Sequence, residues 1–233
     1  RVRRAVHLAL DRKSFIETAF YGAGGAGGYV SPSGQWSLPT EELAAMPGVR
    51  AAKDQDRARA RQLLAEAGYP DGFDAALITL SATSFWQAGA VVLVDELKKI
   101  GIRAQLQAME RTAWFDALYG GRFQISWGAR SADDDDPDRL YFAHYYSKGG
   151  ENFGRFVDRE LDGLIERQSR TLDAQERRKM VLDIERKMLT DLVPWVSVVW
   201  HYDIPGWWPE VKGLVMGAGN YVNLRYDGIW IEP

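Results

Sequence analysis

Hydrophobic and polar residues follow a helical period over several stretches of the chain. Apolar residues three and four positions apart cover residues 2–20, on both sides of a possible helix cap at Asp11, and again residues 54–67. Asp54 is predicted to cap the second stretch, and Gly68 follows its end. Between them, five glycines at positions 22–28 predict an irregular loop. No strand precedes this loop, so the glycines do not indicate a phosphate-binding turn.

A period of two replaces the helical period in three segments. FDAALITLSA (73–82), IRAQLQAME (102–110) and FQISWGA (123–129) are predicted strands, and residues 85–101 and 112–121 between them are predicted helices. The alternation predicts an α/β fold in which helices cover a mixed sheet. Ligands of such sheets gather at the carboxyl ends of the strands, so the residues that follow each strand are candidates for a site.

The second half of the chain is mainly helical. DPDRLYFAHYY (136–146) is a predicted helix with Pro137 in its first turn. Residues 157–171 and 174–191 predict two amphipathic helices, whose charged residues are interpreted as a solvated face. VPWVSVVWHY (193–202) is a predicted strand, and the remaining tail is interrupted by proline and glycine.

Composition excludes several classes of protein. Lys and Arg number 29 against 32 Asp and Glu, which leaves no basic excess for binding nucleic acid. The chain has no cysteine, and its three histidines lack the HxxxH spacing, so a thiolate or histidine metal site is not expected. The apolar runs are too short to cross a bilayer.

Four consecutive aspartates in WGARSADDDDPD raise the question of a metal loop. An EF-hand that starts at Asp133 needs an oxygen ligand, glycine and glutamate where Pro137, Asp138 and His144 stand. A bound ion is therefore not predicted. Asp136 is predicted to cap the helix that begins at Pro137, and residues 133–135 form a solvated turn.

Candidate ligand-binding residues follow two of the predicted strands. Trp127 and Arg130 come after one strand, and Ser84, Phe85 and Trp86 open the helix after another. Together they would provide an aromatic surface and anion-binding groups at a helix N-terminus. Two alternatives stay open: that Arg130 serves only to neutralise the aspartates, and that the nine tryptophans fill the core.

Seven segments follow one another in an order that resembles the C-terminal half of family 5 extracellular solute-binding proteins. These segments are VRRAVHLALDRKSFIETAFYGAG, LLAEAGYPDGF, LVDELKKIGIRAQLQ, GRFQISWGARSADDDDPD, NFGRFVDRELDGLIERQ, AQERRKMVLDIERKMLTDLVPWVSVVWH and VKGLV. The family comprises the peptide, nickel and glutathione type receptors of ABC importers. The resemblance implies a type II periplasmic-binding-protein-like lobe from a two-lobe receptor.

The resemblance also implies an organisation and a role. Residues 1–200 would form the C-terminal ligand-binding lobe, and residues 201–233 a tail that returns toward an N-terminal lobe outside this sequence. The protein would bind a small-molecule or peptide-like ligand in the periplasm or outside the cell and deliver it to ABC transporter permease subunits. Membrane association would come through the transporter or an N-terminal anchor, and neither catalysis nor a cofactor is expected.

The same resemblance bears on the ligand. Peptide-binding members carry an aspartate three residues after the strand-end tryptophan, where this chain has Arg130. We therefore expect a ligand with a carboxylate or similar anion, with Asp133, Asn152 and Phe153 as weaker candidates near it. The alternative from another class is a hydrolase or transferase domain with a carboxylate active site.

Overall fold

The computed structural model describes residues 1–81, 84–129, 135–202, 206–214 and 227–232, with the backbone alone at positions 84 and 85. Its α-helices are α1 (Val2–Ala9), α2 (Arg12–Ala19), α3 (Thr40–Ala45), α4 (Asp54–Glu66), α5 (Ser84–Lys98), α6 (Arg111–Gly120), α7 (Pro137–Leu140), α8 (Arg159–Arg170) and α9 (Ala174–Lys187). Two π-helical turns, Tyr141–Tyr145 and Met188–Leu192, continue α7 and α9.

The strands of the described residues form one parallel sheet and two small antiparallel pairs. They are β1 (Gly24–Gly25), β2 (Phe73–Leu80), β3 (Ile102–Met109), β4 (Ile125–Ser126), β5 (Trp200–His201), β6 (Val211–Lys212) and β7 (Trp230–Ile231). The central sheet has the order β3-β2-β4 and is parallel throughout. β1 pairs with β5, and β6 pairs with β7.

The central sheet owes its position to the apolar residues of β2. Leu77 is fully buried and packs in one cluster with Phe15 of α2, Leu93 and Leu97 of α5, and Ile102 at the start of β3. Helix α5 connects β2 to its parallel neighbour β3, as parallel pairing requires. The predicted α/β fold of helices on a sheet is confirmed.

Helix caps agree with the sequence at two positions and differ at a third. Asp11 accepts the N–H of Lys13 at 3.1 Å, and Asp136 caps α7, so both predictions are confirmed. The predicted cap at Asp54 is wrong, because Lys53 occupies the cap position and Asp54 is the first helical residue. Asp56 in this first turn is buried and accepts the Gly48 N–H at 2.8 Å.

Three segments differ from their predicted secondary structure. In the segments 123–129 and 193–202, only Ile125–Ser126 and Trp200–His201 pair as strands. The glycine-rich loop instead contains a short strand, with Gly24 paired to His201. Glycine is required there because a Cβ on Gly24 would lie 2.9 Å from the side chain of Val199.

A second core cluster lies between α8, α9 and the segment that follows the glycine-rich loop. It includes Tyr29, Leu161, Ile165, Ile184 and Met188. The sequence pattern predicted that the charges of α9 form a solvated face, and this prediction is wrong for one residue. Glu185 points into this cluster and is 1% exposed.

Candidate functional site

The strands β2 and β4 end at the same edge of the sheet. Because β2 and β4 are parallel and Leu77 is paired with Ile125, the chain leaves both strands in the same direction. The Trp127 N–H donates to the Ile78 carbonyl at 2.9 Å, which carries this alignment one residue beyond β4. The start of α5 and the segment after β4 therefore meet at this edge, as expected for an α/β site.

A cleft of about 1290 Å³ runs along the free side of β4. Residues 123–129 border one side, and residues 194–202, here called the cleft wall, border the other. Residues 28–33, here called the cleft loop, contribute Gly28, Tyr29 and Ser31 to the lining. The volume exceeds the range of about 300–1,000 Å³ typical of small-molecule sites, so it can hold a peptide-sized ligand or a further part of the polypeptide.

The cleft loop and the cleft wall are tied together by side-chain hydrogen bonds. The Tyr29 hydroxyl donates to the Trp195 carbonyl at 2.6 Å. The Ser197 hydroxyl and the Trp200 indole N–H both donate to the Gly28 carbonyl, at 2.7 Å and 3.1 Å. The position of the cleft wall therefore depends on how the cleft loop is held.

Trp127 contributes to the cleft but is chiefly a core residue. Its indole stacks on Phe15 with 5.4 Å between ring centroids, and its residual exposure is 8%. A methyl group on Gly89 of α5 would overlap the indole. Trp127 Nε1 has no hydrogen-bond partner among the described residues. Only the edge of Trp127 can serve as the predicted aromatic surface.

The other predicted residues at this edge are described to different extents. Trp86 is half-buried, lines the cleft and packs against the cluster around Leu77 and against a further cluster that contains Ile78 and Trp114. Ser84 is the first residue of α5 and Phe85 follows it, but their side chains lie outside the described part of the structure. Arg130 and Asp133 also lie outside the described residues. Their roles stay predictions.

Phe153 and Asn152 occupy the turn before α8 and have different surroundings. Phe153 lines the cleft and packs edge-on against Tyr119 at 4.9 Å. The Asn152 amide donates to the Phe156 carbonyl at 2.7 Å and accepts the Phe156 N–H at 3.0 Å. Asn152 is not among the residues that line the cleft. Its side chain holds the turn that presents Phe153.

The end of the acidic run has a structural role. Asp136 accepts the Asp138 N–H at 2.9 Å and binds Arg177 through two contacts of 2.7 and 2.8 Å. Hydrogen bonding to Arg177 lowers the pKa of Asp136 below its ordinary value. The Arg177 guanidinium lies over the Trp36 ring at 4.8 Å. Within the described ranges, no group of three His, Cys, Asp or Glu side chains could hold a metal ion.

The charge of the cleft is a feature that the sequence pattern did not reveal. Among the described lining residues, Arg3 and Arg155 carry formal charge, and no Asp or Glu is present. Arg3 donates to the Val193 carbonyl at 3.0 Å, and Arg155 donates to the Gly120 carbonyl at 3.3 Å. Arg155 also has a positive φ of 48°, which is uncommon for a residue other than glycine. The described lining therefore favours an anionic or neutral ligand over a cationic one.

Comparisons with known proteins agree with this geometry. Residues 1–152 match the model of bacterial extracellular solute-binding proteins, family 5 Middle. The chain is 27% identical to heme-binding protein A of Haemophilus influenzae over 95% of its own length and 40% of that protein. It is 26% identical to glutathione-binding protein GsiB of Salmonella paratyphi A, over 100% of this chain and 42% of that protein.

A solved structure has the same fold. The periplasmic binding protein DppA from Helicobacter pylori, in complex with the peptide STSA, superposes with a TM-score of 0.80 at 22% identity, over 99% of this chain and 44% of that one. The chain thus spans less than half the length of these relatives. Within the described residues, no helix combines the length and apolar character that a membrane span needs. The family match over residues 1–152 shows that this chain belongs to the bacterial extracellular solute-binding proteins, family 5.

Proposed function

We propose that this chain forms part of the substrate-binding component of an ABC importer. The protein captures a small organic or peptide-like solute between two lobes and delivers it to the membrane permease without changing it chemically. The observation that carries this proposal is the large cleft along β4 and the segment that follows it, in a chain of this family. Its mechanism is a shift between open and closed lobe arrangements that ligand binding favours.

The domain organisation proposed from the sequence has support in exposed apolar residues near the C-terminus. Residues 1–200 would form the ligand-binding lobe, and residues 201–233 would return to the other lobe. Among the described residues after position 200, the most exposed large apolar side chains are those of Trp208, at 78%, and Ile231, at 73%. Exposed apolar groups of this size are typical of a surface that another part of a protein covers.

The ligand is proposed to carry a carboxylate or a similar anion. The described lining of the cleft supports this, because it contains Arg3 and Arg155 and no carboxylate. Arg130, at the end of the segment after β4, is proposed as a further anion-binding group. The location would be the periplasm or the outer face of a cell membrane, as the family of extracellular binding proteins suggests.

Native mass spectrometry of the full-length protein, purified without denaturation, tests the function. A receptor carries its solute through purification and returns it unchanged when the protein is denatured. Recovery of a chemically converted product after incubation with that solute would favour a hydrolase or transferase instead.

Calorimetry with the recovered solute then tests the charge assignment. Arg130→Ala and Arg155→Ala are each expected to weaken binding at least tenfold. Arg103→Ala is the matched control, because Arg103 pairs with Asp74 near the opposite end of the sheet and does not line the cleft. An unchanged affinity in both Arg130→Ala and Arg155→Ala would overturn the assignment of an anionic ligand while leaving the receptor function intact.

A further inference from the structure

Glu185 is a buried carboxylate that lies beneath the cleft loop. Glu185 belongs to α9. Its Oε2 accepts the Tyr29 N–H at 2.6 Å, and its Oε1 accepts the Tyr141 hydroxyl at 3.1 Å. A Cβ at Gly28 would collide with this carboxylate, so the loop approaches α9 closely only because residue 28 is glycine. The cleft loop is therefore built around the acidic group.

The groups around Glu185 do not neutralise its charge. The titratable side chains that face it are Tyr29 from the cleft loop and Tyr141 from the π-helical turn, with Tyr145 beside Tyr29. The charge of Arg12 affects the pKa of the Tyr29 hydroxyl and not that of the Glu185 carboxylate. Among the described residues, no Lys or Arg forms an ion pair with Glu185.

We propose that Glu185 is a positioning residue for the cleft: the protonation of its carboxylate controls how firmly the cleft loop is seated on α9. The effect reaches the cleft wall because the Tyr29 hydroxyl holds the Trp195 carbonyl from the same loop. When the loop lifts, water reaches the carboxylate and stabilises its ionised form. Ionisation of Glu185 therefore favours the lifted loop, and protonation favours the seated one.

The surroundings of Glu185 place this change in an accessible pH range. Burial raises the pKa of Glu185 to about 7, while the N–H groups of Tyr29 and Val30 and the Tyr141 hydroxyl act in the opposite direction. A lifted loop returns the pKa to the ordinary value of a solvated glutamate. Linkage between proton binding and loop position then makes lifting easier as the pH rises.

Hydrogen exchange of the full-length protein without ligand tests the proposal. Protection of the Tyr29 and Val30 amides, corrected for the intrinsic effect of pH on exchange, is expected to fall on the order of tenfold between pH 6 and pH 8. Glu185→Gln keeps the size of the side chain and one acceptor oxygen. In this variant the corrected protection should not change with pH.

Glu176→Gln is the matched control, because Glu176 is an exposed acid in the first turn of the same helix. It should retain the wild-type pH dependence. The same pH profile in wild type and Glu185→Gln, or protection that rises with pH in the wild type, would overturn the proposal. Because no ligand is used, failure here is distinct from failure of the proposed receptor function.

Discussion

The indole of Trp127 stacks on the phenyl ring of Phe15 at a centroid separation of 5.4 Å and an interplanar angle of 26°. Gly89 of α5 borders the same indole, where a side chain would overlap it. This contact joins α2, α5 and the end of β4 at the edge of the sheet where the cleft begins. Trp127 therefore links the stability of the core to the shape of the site.

Two Gly→Ala substitutions should have opposite effects on stability. Gly89→Ala is expected to lower the free energy of unfolding by about 1–3 kcal/mol, because the new methyl group displaces the Trp127 indole. Gly163→Ala in α8 should raise it by up to about 1 kcal/mol through helix propensity. A Cβ at Gly163 would meet only the flexible Arg167 side chain, at 3.3 Å. Urea unfolding of the full-length protein measures both, and a stabilising Gly89→Ala would show that the indole is not seated as described.

The ion pair of Asp136 and Arg177 leads to a prediction for acidic pH. Asp136→Asn should cost at most about 1 kcal/mol near neutral pH, because Asn caps a helix as well as Asp does and the ion pair with Arg177 that is lost is partly exposed and screened by solvent. Arg177 lowers the pKa of Asp136, so the contribution of ionised Asp136 is present above the unfolded-state pKa and is lost as the pH falls through the folded-state pKa. The difference in thermal unfolding midpoint between wild type and variant should therefore shrink below about pH 4. A difference that grows on acidification would contradict this assignment.

For Glu185 we expect its contribution to stability to depend on pH in the opposite direction. Its pKa is raised from 4.5 to about 7 in the folded protein. Between these values the folded state holds a proton that the unfolded state has released. The stability of the wild type relative to Glu185→Gln should therefore fall by about 1.4 kcal/mol per pH unit from pH 4.5 to 7 and then level off. Thermal unfolding of both proteins across this range checks the sign.

Asn152 distinguishes a structural role from ligand contact. Asn152→Ala removes two hydrogen bonds to Phe156, and we expect a loss of about 1–3 kcal/mol in the free energy of unfolding. Phe153→Leu should instead leave most of the stability and change the affinity for the solute. Urea unfolding and calorimetry separate the two effects. Weaker binding by Asn152→Ala without lost stability would make Asn152 a ligand residue.

The local features of the fold could be predicted from the sequence. Helix periodicity and short-range caps depend on neighbours in the chain, as Asp11 with Lys13 and Asp136 with Asp138 show. Strands require a partner elsewhere, which explains why alternation alone predicted longer strands at 123–129 and 193–202 than form there. The predicted cap at Asp54 was wrong by one position, because Lys53 occupies the cap position and has no side-chain cap bond.

Part of the site could not be predicted for the same reason. Tyr29 and Glu185 are 156 positions apart in sequence, and Glu185 follows the charge pattern of an exposed helix face. Trp86, Trp127 and Phe153 were proposed from local signals, their positions relative to strands and turns, and all three line the cleft. Their contact with a ligand stays a prediction. Arg155 was missed, since an arginine in a turn carries no sequence signal for a cleft.

A crystal structure of the full-length protein with the solute that it carries through purification tests the central claim most directly. We expect electron density for that solute in the cleft along β4, in contact with Trp86 and the edge of Trp127. A solute bound elsewhere, with this end of the cleft filled by the protein's own polypeptide, would contradict it.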